Sequence, residues 1–319
     1  MTLNENSKKL QVQLDVVYEL MSEQLNNEEA VGNSSRSRTQ VDQDGNLRNK
    51  ISGPNTKHNI MANVYKMADK KDLCTSCRVM SPLKNGEFSI SKEDEERLSA
   101  SGKRTKGCVM CDLAGFMNAE KGGTEKRNSI MNVSDAIAEV TGTRDREMHS
   151  RLDTVEDSGK AKNEDGEGST NMIFYEENRN STYHQSVVID LDRVAFDDHK
   201  QEYVLDEEQI KERMKVAVKA TAHHFMNIEG AKMSVHKPHL ISLNGTIRVS
   251  TDSQEVMANY STMNDDYLDV QKAMNKDVKE FSNPAELNNL IDDLLDDAFL
   301  DEVIKRNMNV VEGWKELTA

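Results

Sequence analysis

In "KLQVQLDVVYEL" the apolar residues Leu10, Val12, Leu14 and Val16 alternate with polar ones, the two-residue period of a half-buried strand, here an edge-to-core first strand. After it, "DQDG" is a turn signal that would join two short strands into a hairpin. Gly53 and Pro54 then punctuate a start, and Ile60, Val64 and Met67 recur at helical spacing, which predicts a helix from near Pro54. "RNSIMNVSDAIAEV" suggests a strand. Residues 141–171 hold no aromatic residue and little apolar content, so they read either as a disordered loop or as a projecting hairpin. Around Val187, Ile189 and Leu191 a central strand is predicted, followed by a helix that Asp206 and Gln209 open as a capping box. His223 and His224 at its end read as dipole partners or core edges rather than metal ligands. Strand is expected to return over "GAKMSVHKPHLISLNGTIRVS", with Gly230 free to take a backbone angle closed to other residues. Asn283 caps and Pro284 begins a helical C-terminal segment. Strands alternating with helices, with long inserts, predict an α+β domain rather than a bundle.

Charge changes this picture more than composition does. The 319 residues carry a formal charge of -15, which argues against a nucleic-acid partner, but the charge is unevenly placed. Residues 250–319 hold sixteen Asp or Glu against six Lys or Arg, about -10, which leaves about -5 for the rest. From Arg36 to Lys57 the chain is net positive. Electrostatic attraction is local, over a Debye length of about 8 Å, so a basic groove can operate on an acidic protein. Any single arginine here is also compatible with a mobile surface loop. Lys57 falls in the first turn of the predicted helix, where free backbone N–H groups favour an anion; an exposed lysine tolerated at small penalty explains the segment equally well. No apolar run approaches a membrane span and the N-terminus lacks a signal-peptide block, so a cytoplasmic protein with no membrane partner is expected.

All four cysteines fall in two CxxC pairs, Cys74 and Cys77 in "LCTSCR", Cys108 and Cys111 in "CVMCDLAGFM". In a reducing compartment they are better metal ligands than disulfides, and four thiolates close a tetrahedron with no open position for water. A structural zinc that staples a polar thirty-residue excursion is the expectation; His58 is an unneeded substitute ligand. Redox chemistry and unligated thiols are the alternatives.

These motifs, with "EAVGNSSRSRTQV", "ISGPNTKHN", "VSDAI", "HSRLDTVEDSGKA", "MIFYEEN", "IDLDRVA" and "GAKMSVHKPHL", resemble in order and spacing the Cas-seven family in its DevR branch, the backbone subunit of type I CRISPR Cascade complexes, I-B or I-A like. The resemblance runs from about Leu10 to Ser250 and leaves the helical C-terminal part unexplained. It implies an RRM-like, ferredoxin-type palm (1–73, 112–141 and 172–250), zinc-stapled fingers (74–111), a thumb-like projecting loop (142–171) and an acidic helical segment (251–319). On this view Arg36, Arg38, Arg48, Lys50, Gly53 and Lys57 line a groove for the guide RNA (crRNA), and Arg144, His149, Arg151, Asn171 and Met172 belong to the thumb, Met172 as an apolar wedge. Partners would be crRNA, target DNA through the guide, further copies in a helical filament and other Cascade subunits. The acidic helices are candidates for the face that joins copies.

Such a protein needs no catalysis, because sequence recognition is delegated to base pairing. Two other readings are open. Asp42 or Asp44 occupies a place comparable to the catalytic aspartate of type III relatives that cut target RNA, and a zinc-stabilised regulatory or scaffold protein would not touch RNA.

Overall fold

The first strand runs over Gln11–Glu23 (β1), longer than its alternation implied, and both of its faces are buried. A computed structural model describes residues 7–28, 32–80, 86–120, 123–139, 143–154, 169–275 and 277–318. Along the chain, Ser34–Ser35 (β2) and a hairpin of Thr39–Val41 (β3) and Leu47–Ile51 (β4) lead into helix Gly53–Met67 (α1). Short helices Thr75–Arg78 (α2), Lys92–Arg97 (α3), Ala100–Gly107 (α4) and Val109–Ala114 (α5) form the cysteine-bearing region. Phe116–Glu120 (β5) and Gly123–Arg127 (β6) make a separate hairpin, and Met131–Val133 (β7) and Ala136–Ala138 (β8) replace the single strand expected there. Thr143–Thr154 (β9) pairs with the first half of the 22-residue strand Ser169–Asp190 (β10). Phe196–Asp197 (β11) and Glu202–Tyr203 (β12) precede helix Glu207–Met226 (α6) and strand His239–Ser250 (β13). Tyr267–Met274 (α7), Val278–Phe281 (β14), Pro284–Leu294 (α8) and Asp297–Thr318 (α9) complete the chain.

The principal sheet has the order β14-β13-β1-β10-β8-β4-β3. β1 is therefore a central strand, antiparallel to β10 on one side and β13 on the other, and not an edge. Its apolar face, Val12, Leu14, Val16 and Tyr18, packs under α1 and α6, where the Tyr18 and Phe225 rings lie 6.0 Å apart. Its polar face is buried too. Asp15 Oδ2 accepts from Arg248 Nη2 at 2.8 Å and from the Tyr267 hydroxyl at 2.6 Å, so the chain after β13 covers a face that alternation alone assigns to water. Such a pair holds only because each charge finds the other; either alone would be an uncompensated buried ion.

Local signals are carried out as read. Asp206 and Gln209 form the capping box of α6, and Asn283 Oδ1 accepts from Glu286 N at 2.9 Å with Pro284 first in α8. Gly45, at φ +84°, makes the β3–β4 turn that the Asp-Gly pair predicts. Gly230 is different from its expectation. Its φ is ordinary and residues 231–235 form turns, with β13 starting only at His239; what requires glycine is the Leu25 carbonyl, 2.7 Å from where a Cβ would stand. The acidic C-terminal helices lie on α6. Lys211, Lys215 and Lys219, four residues apart, meet Asp301 at 3.0 Å, Asp297 at 2.6 Å and Asp292 at 3.5 Å, so part of the acidic face is engaged within its own chain. No described helix is long and apolar enough to cross a membrane.

Candidate nucleic-acid interface and metal centre

Of the residues singled out above, the four cysteines are brought together in one cluster, and Arg36 meets Arg144 in one cleft. Each CxxC pair opens a short helix, with Cys74 and Cys108 at the N-caps of α2 and α5 and Cys77 and Cys111 in the turns that follow. All four are buried, and their Sγ atoms lie within 4.8 Å of one another. Cys111 Sγ stands 3.9 Å from both Cys74 Sγ and Cys77 Sγ. A regular tetrahedron with metal–sulfur bonds of about 2.3 Å has sulfurs about 3.8 Å apart, so this set could hold a metal ion with almost no rearrangement. Mutual hydrogen bonding splits the thiols: contact with Cys108 pulls Cys74 below the ordinary thiol range and pushes Cys111 above it. A cation at the centre would remove that competition by holding all four as thiolates. His58 is exposed and outside this set.

The knuckle is docked through the residue after Cys111. Asp112 is fully buried; Oδ1 accepts from Arg127 Nη2 at 2.6 Å, and Oδ2 accepts from Arg213 Nη1 and from the Ala195 amide, both at 2.9 Å. Gly115 ends α5 at φ +69° with the Arg127 carbonyl 2.4 Å from where a Cβ would stand, so only glycine turns the chain there.

The basic residues divide into those already paired and those facing open space. Arg48 Nε donates to Asp42 Oδ2 at 2.7 Å, which holds the Asp42 carboxyl at about 2. Lys50 Nζ donates to Asp135 Oδ2 at 2.9 Å, and the other oxygen of Asp135 accepts from Gly53 N at 2.7 Å. The start of α1 therefore already faces an anion, a carboxylate of its own chain. Gly53 and Lys50, expected to line the RNA groove with the helix start facing a phosphate, thus share the Asp135 carboxylate, the kind of anion that a helix start favours.

Arg36 is exposed and shares a cleft of about 390 Å³ with Arg144 and Arg146 of β9. The carboxylates there, Glu177 and Glu28, accept from the amides of Ser37 and Thr39. Arg144 Nε donates to Asn49 Oδ1 at 2.9 Å while its Nη2 is closed to solvent without a partner, and Arg146 lies over the Tyr175 ring at 4.1 Å. The loop is held by fully buried Arg179, which donates to Glu23 Oε2 at 3.0 Å and to the Arg38 carbonyl at 2.9 Å. Arg38 itself bonds through its backbone to Lys50, and its Nε is shut away without a partner. Gly53 and Lys57 line a second cleft of about 830 Å³ with Met61, Met80, Met110 and Met131, beside the cysteine knuckle.

Arg146 escaped the sequence reading, although Arg144 and Arg146 stand two apart and one strand face must carry both. His149 faces the other way. Arg151 and Met172 are opposite each other in the β9–β10 ladder, and Asn171 is opposite Leu152; for these the backbone alone is described. Residues 155–168, the middle of the segment expected to project, lie outside the described residues.

The α+β fold of this chain has counterparts among solved structures. Over 89% of its length it is similar to a chain of a "CRISPR RNA-guided surveillance complex" (TM-score 0.50, 12% identity, 99% of that chain) and to one of a "CRISPR RNA-guided surveillance complex, pre-nicking" (TM-score 0.54, 12% identity, 99% of that chain). Residues 14–272 match the model of a family described as CRISPR-associated negative auto-regulator DevR/Csa2. The chain belongs to that family, as the order of its motifs indicated. No curated protein matches the sequence.

Proposed function

We propose that this protein is a non-catalytic backbone subunit of a type I CRISPR effector complex, which binds guide RNA regardless of its sequence and presents it for pairing with target DNA. The observation that carries this reading is the meeting of Arg36 from the loop after β1 with Arg144 and Arg146 from β9 in one cleft, in a chain of the DevR/Csa2 family. Guanidinium groups held on a sheet suit phosphate oxygens, whose positions are independent of base identity. Order within the sheet supports an RRM-like, ferredoxin-type palm: β13-β1-β10-β8 lie side by side, with α1 between β1 and β8 in sequence and α6 between β10 and β13. On this reading the cysteine region is the fingers, held by a structural zinc, and the β9–β10 hairpin belongs to the thumb. Copies would stack head to tail along the guide, with other Cascade subunits at the ends, in the cytoplasm of a bacterium or archaeon. Absence of catalysis is supported at Asp42, whose carboxylate accepts from the amides of Asp44 and Asn46 and pairs with Arg48, a turn-forming role.

The test is binding of unrelated single-stranded RNAs to the protein and to a variant carrying Arg36→Glu, Arg144→Gln and Arg146→Glu, across a series of salt concentrations. Loss of three phosphate contacts lowers the steepness of log affinity against log salt by about 2, at roughly 0.7 per contact for single strands, with the same loss for every sequence. A folded variant with unchanged affinity and slope overturns the assignment and favours a scaffold that does not touch RNA.

A further inference from the structure

On the face of the β9–β10 pair opposite the cleft, four side chains converge. Glu147 and Glu176 stand directly opposite each other in the β9–β10 ladder, where two carboxylates repel unless a cation lies between them. His149, two residues along β9 from Glu147, points its Nε2 into the same space, 3.5 Å from Glu147 Oε2 and 3.9 Å from Glu176 Oε2. His236 arrives from the turn before β13, where Val235 and His236 amides both donate to the Lys232 carbonyl, and its Nε2 is 3.3 Å from Glu176 Oε2. The ligand atoms of Glu147, His149 and His236 all lie within 4.8 Å of one another.

We infer that Glu147, His149 and His236 form a second metal site, separate from the thiol knuckle, for a divalent first-row transition ion such as Zn²⁺, with Glu176, beside both imidazoles, placed to close the fourth position. A tetrahedral ion with bonds of about 2.0–2.1 Å separates its ligands by about 3.4 Å, against 3.5 Å between Glu147 and His149, 3.3 Å between His236 and Glu176, and at most 4.8 Å among Glu147, His149 and His236. Both carboxylates are already dressed as ligands are. Each uses one oxygen for an outer donor, Glu147 Oε1 for Asn178 Nδ2 at 2.5 Å and Glu176 Oε1 for Lys232 Nζ, and turns the other toward the imidazoles. The His149 ring is fixed by stacking on Phe174 at 5.2 Å and meets His236 nearly edge-on at 6.2 Å. Its Nε2 is closed to solvent and has no hydrogen-bond partner, which is the state of a donor atom waiting for an ion. Two imidazoles with two carboxylates favour Zn²⁺ and its neighbours over Ca²⁺ or Mg²⁺, which take all-oxygen shells. An ion here ties β9 and β10 to the Lys232–His236 turn and so anchors the base of the arm.

The test titrates Co²⁺ alone into metal-stripped full-length protein. Two phases are expected, one with intense thiolate-to-cobalt charge-transfer absorption and one with only the weak bands of nitrogen and oxygen ligands. A variant with His149→Gln and His236→Gln keeps the first phase and loses the second. Glu147→Gln alone, at an exposed side chain with no core role, raises the dissociation constant of the second phase by at least roughly 10-fold. The thiolate bands report in each sample that the chain is folded. One equivalent of Co²⁺ in the unaltered protein, or equal titrations for it and both variants, overturns the inference; if the double variant loses both phases, the result for Glu147→Gln decides.

Discussion

Asp112→Asn changes one atom's identity and no volume, yet it should be among the most damaging substitutions in the chain. The carboxylate takes hydrogen bonds from two guanidiniums at 2.6 and 2.9 Å, and both its own side chain and that of Arg127 are wholly buried. A neutral amide would leave two cations facing each other across a group that must present an N–H to one of them. Removing one partner of a buried ion pair destabilises by about 3–5 kcal/mol, because the remaining charge has lost its water and gained nothing in exchange. The two arginines also hold backbone carbonyls, Arg213 those of Thr105 and Lys106, Arg127 those of Asp112, Phe196 and Arg193, so their displacement loosens α4, α5 and the segment after β10 together. Equilibrium urea unfolding of the metal-loaded proteins measures the difference, about 4 kcal/mol at unchanged m-value. A difference under about 1 kcal/mol would show that water or rearranged side chains satisfy the arginines, and the docking argument for the knuckle would fall with it.

Other perturbations follow from single observations. His224 is fully buried with Nδ1 unpartnered, and burial lowers its pKa from the usual 6.5 to about 4. The unfolded chain takes up this proton near pH 6.5 while the native one refuses it until about 4, so stability is full above pH 6.5 and falls by about 3 kcal/mol on acidification to pH 4. In urea titrations at several pH values His224→Leu should lack this component, and a pH-independent difference between the two proteins would refute it. Cys74→Ser with Cys111→Ser should remove one equivalent of metal and lower thermal stability together; a full equivalent retained at the thiol site would reject the four-sulfur centre.

What could be read from the sequence was local. The Asp-Gly turn, the α6 capping box and the Asn283–Pro284 start each involve residues within a few positions, and each is found. What could not be read was where a charged side chain finds its partner. Asp15 looks solvent-facing by alternation and is buried against Arg248, 233 residues away; Lys50 and Gly53 look like phosphate ligands and are held by Asp135, more than eighty residues on. For the same reason it could not be read that Arg36, expected in the palm groove, shares a cleft with Arg144, expected in the thumb, and with Arg146, or that Arg48 and Lys50 pair with Asp42 and Asp135. β14 was hidden in a segment read as helical because four residues, "VKEF", are too few to establish a period.

Because the same strand that crosses the central sheet as residues 181–190 continues as residues 169–180 of the arm, the hairpin is a cantilever rather than a hinged flap. Beyond its pairing with β2 at Tyr175 and Glu176, six further residues, 169–174, reach roughly 20 Å at about 3.3 Å each. Swinging its tip sideways means bending a hydrogen-bonded ribbon whose root is clamped between neighbours, so its bearing is inherited from the twist of the sheet. Stacked copies of such a chain would carry their arms at a common pitch.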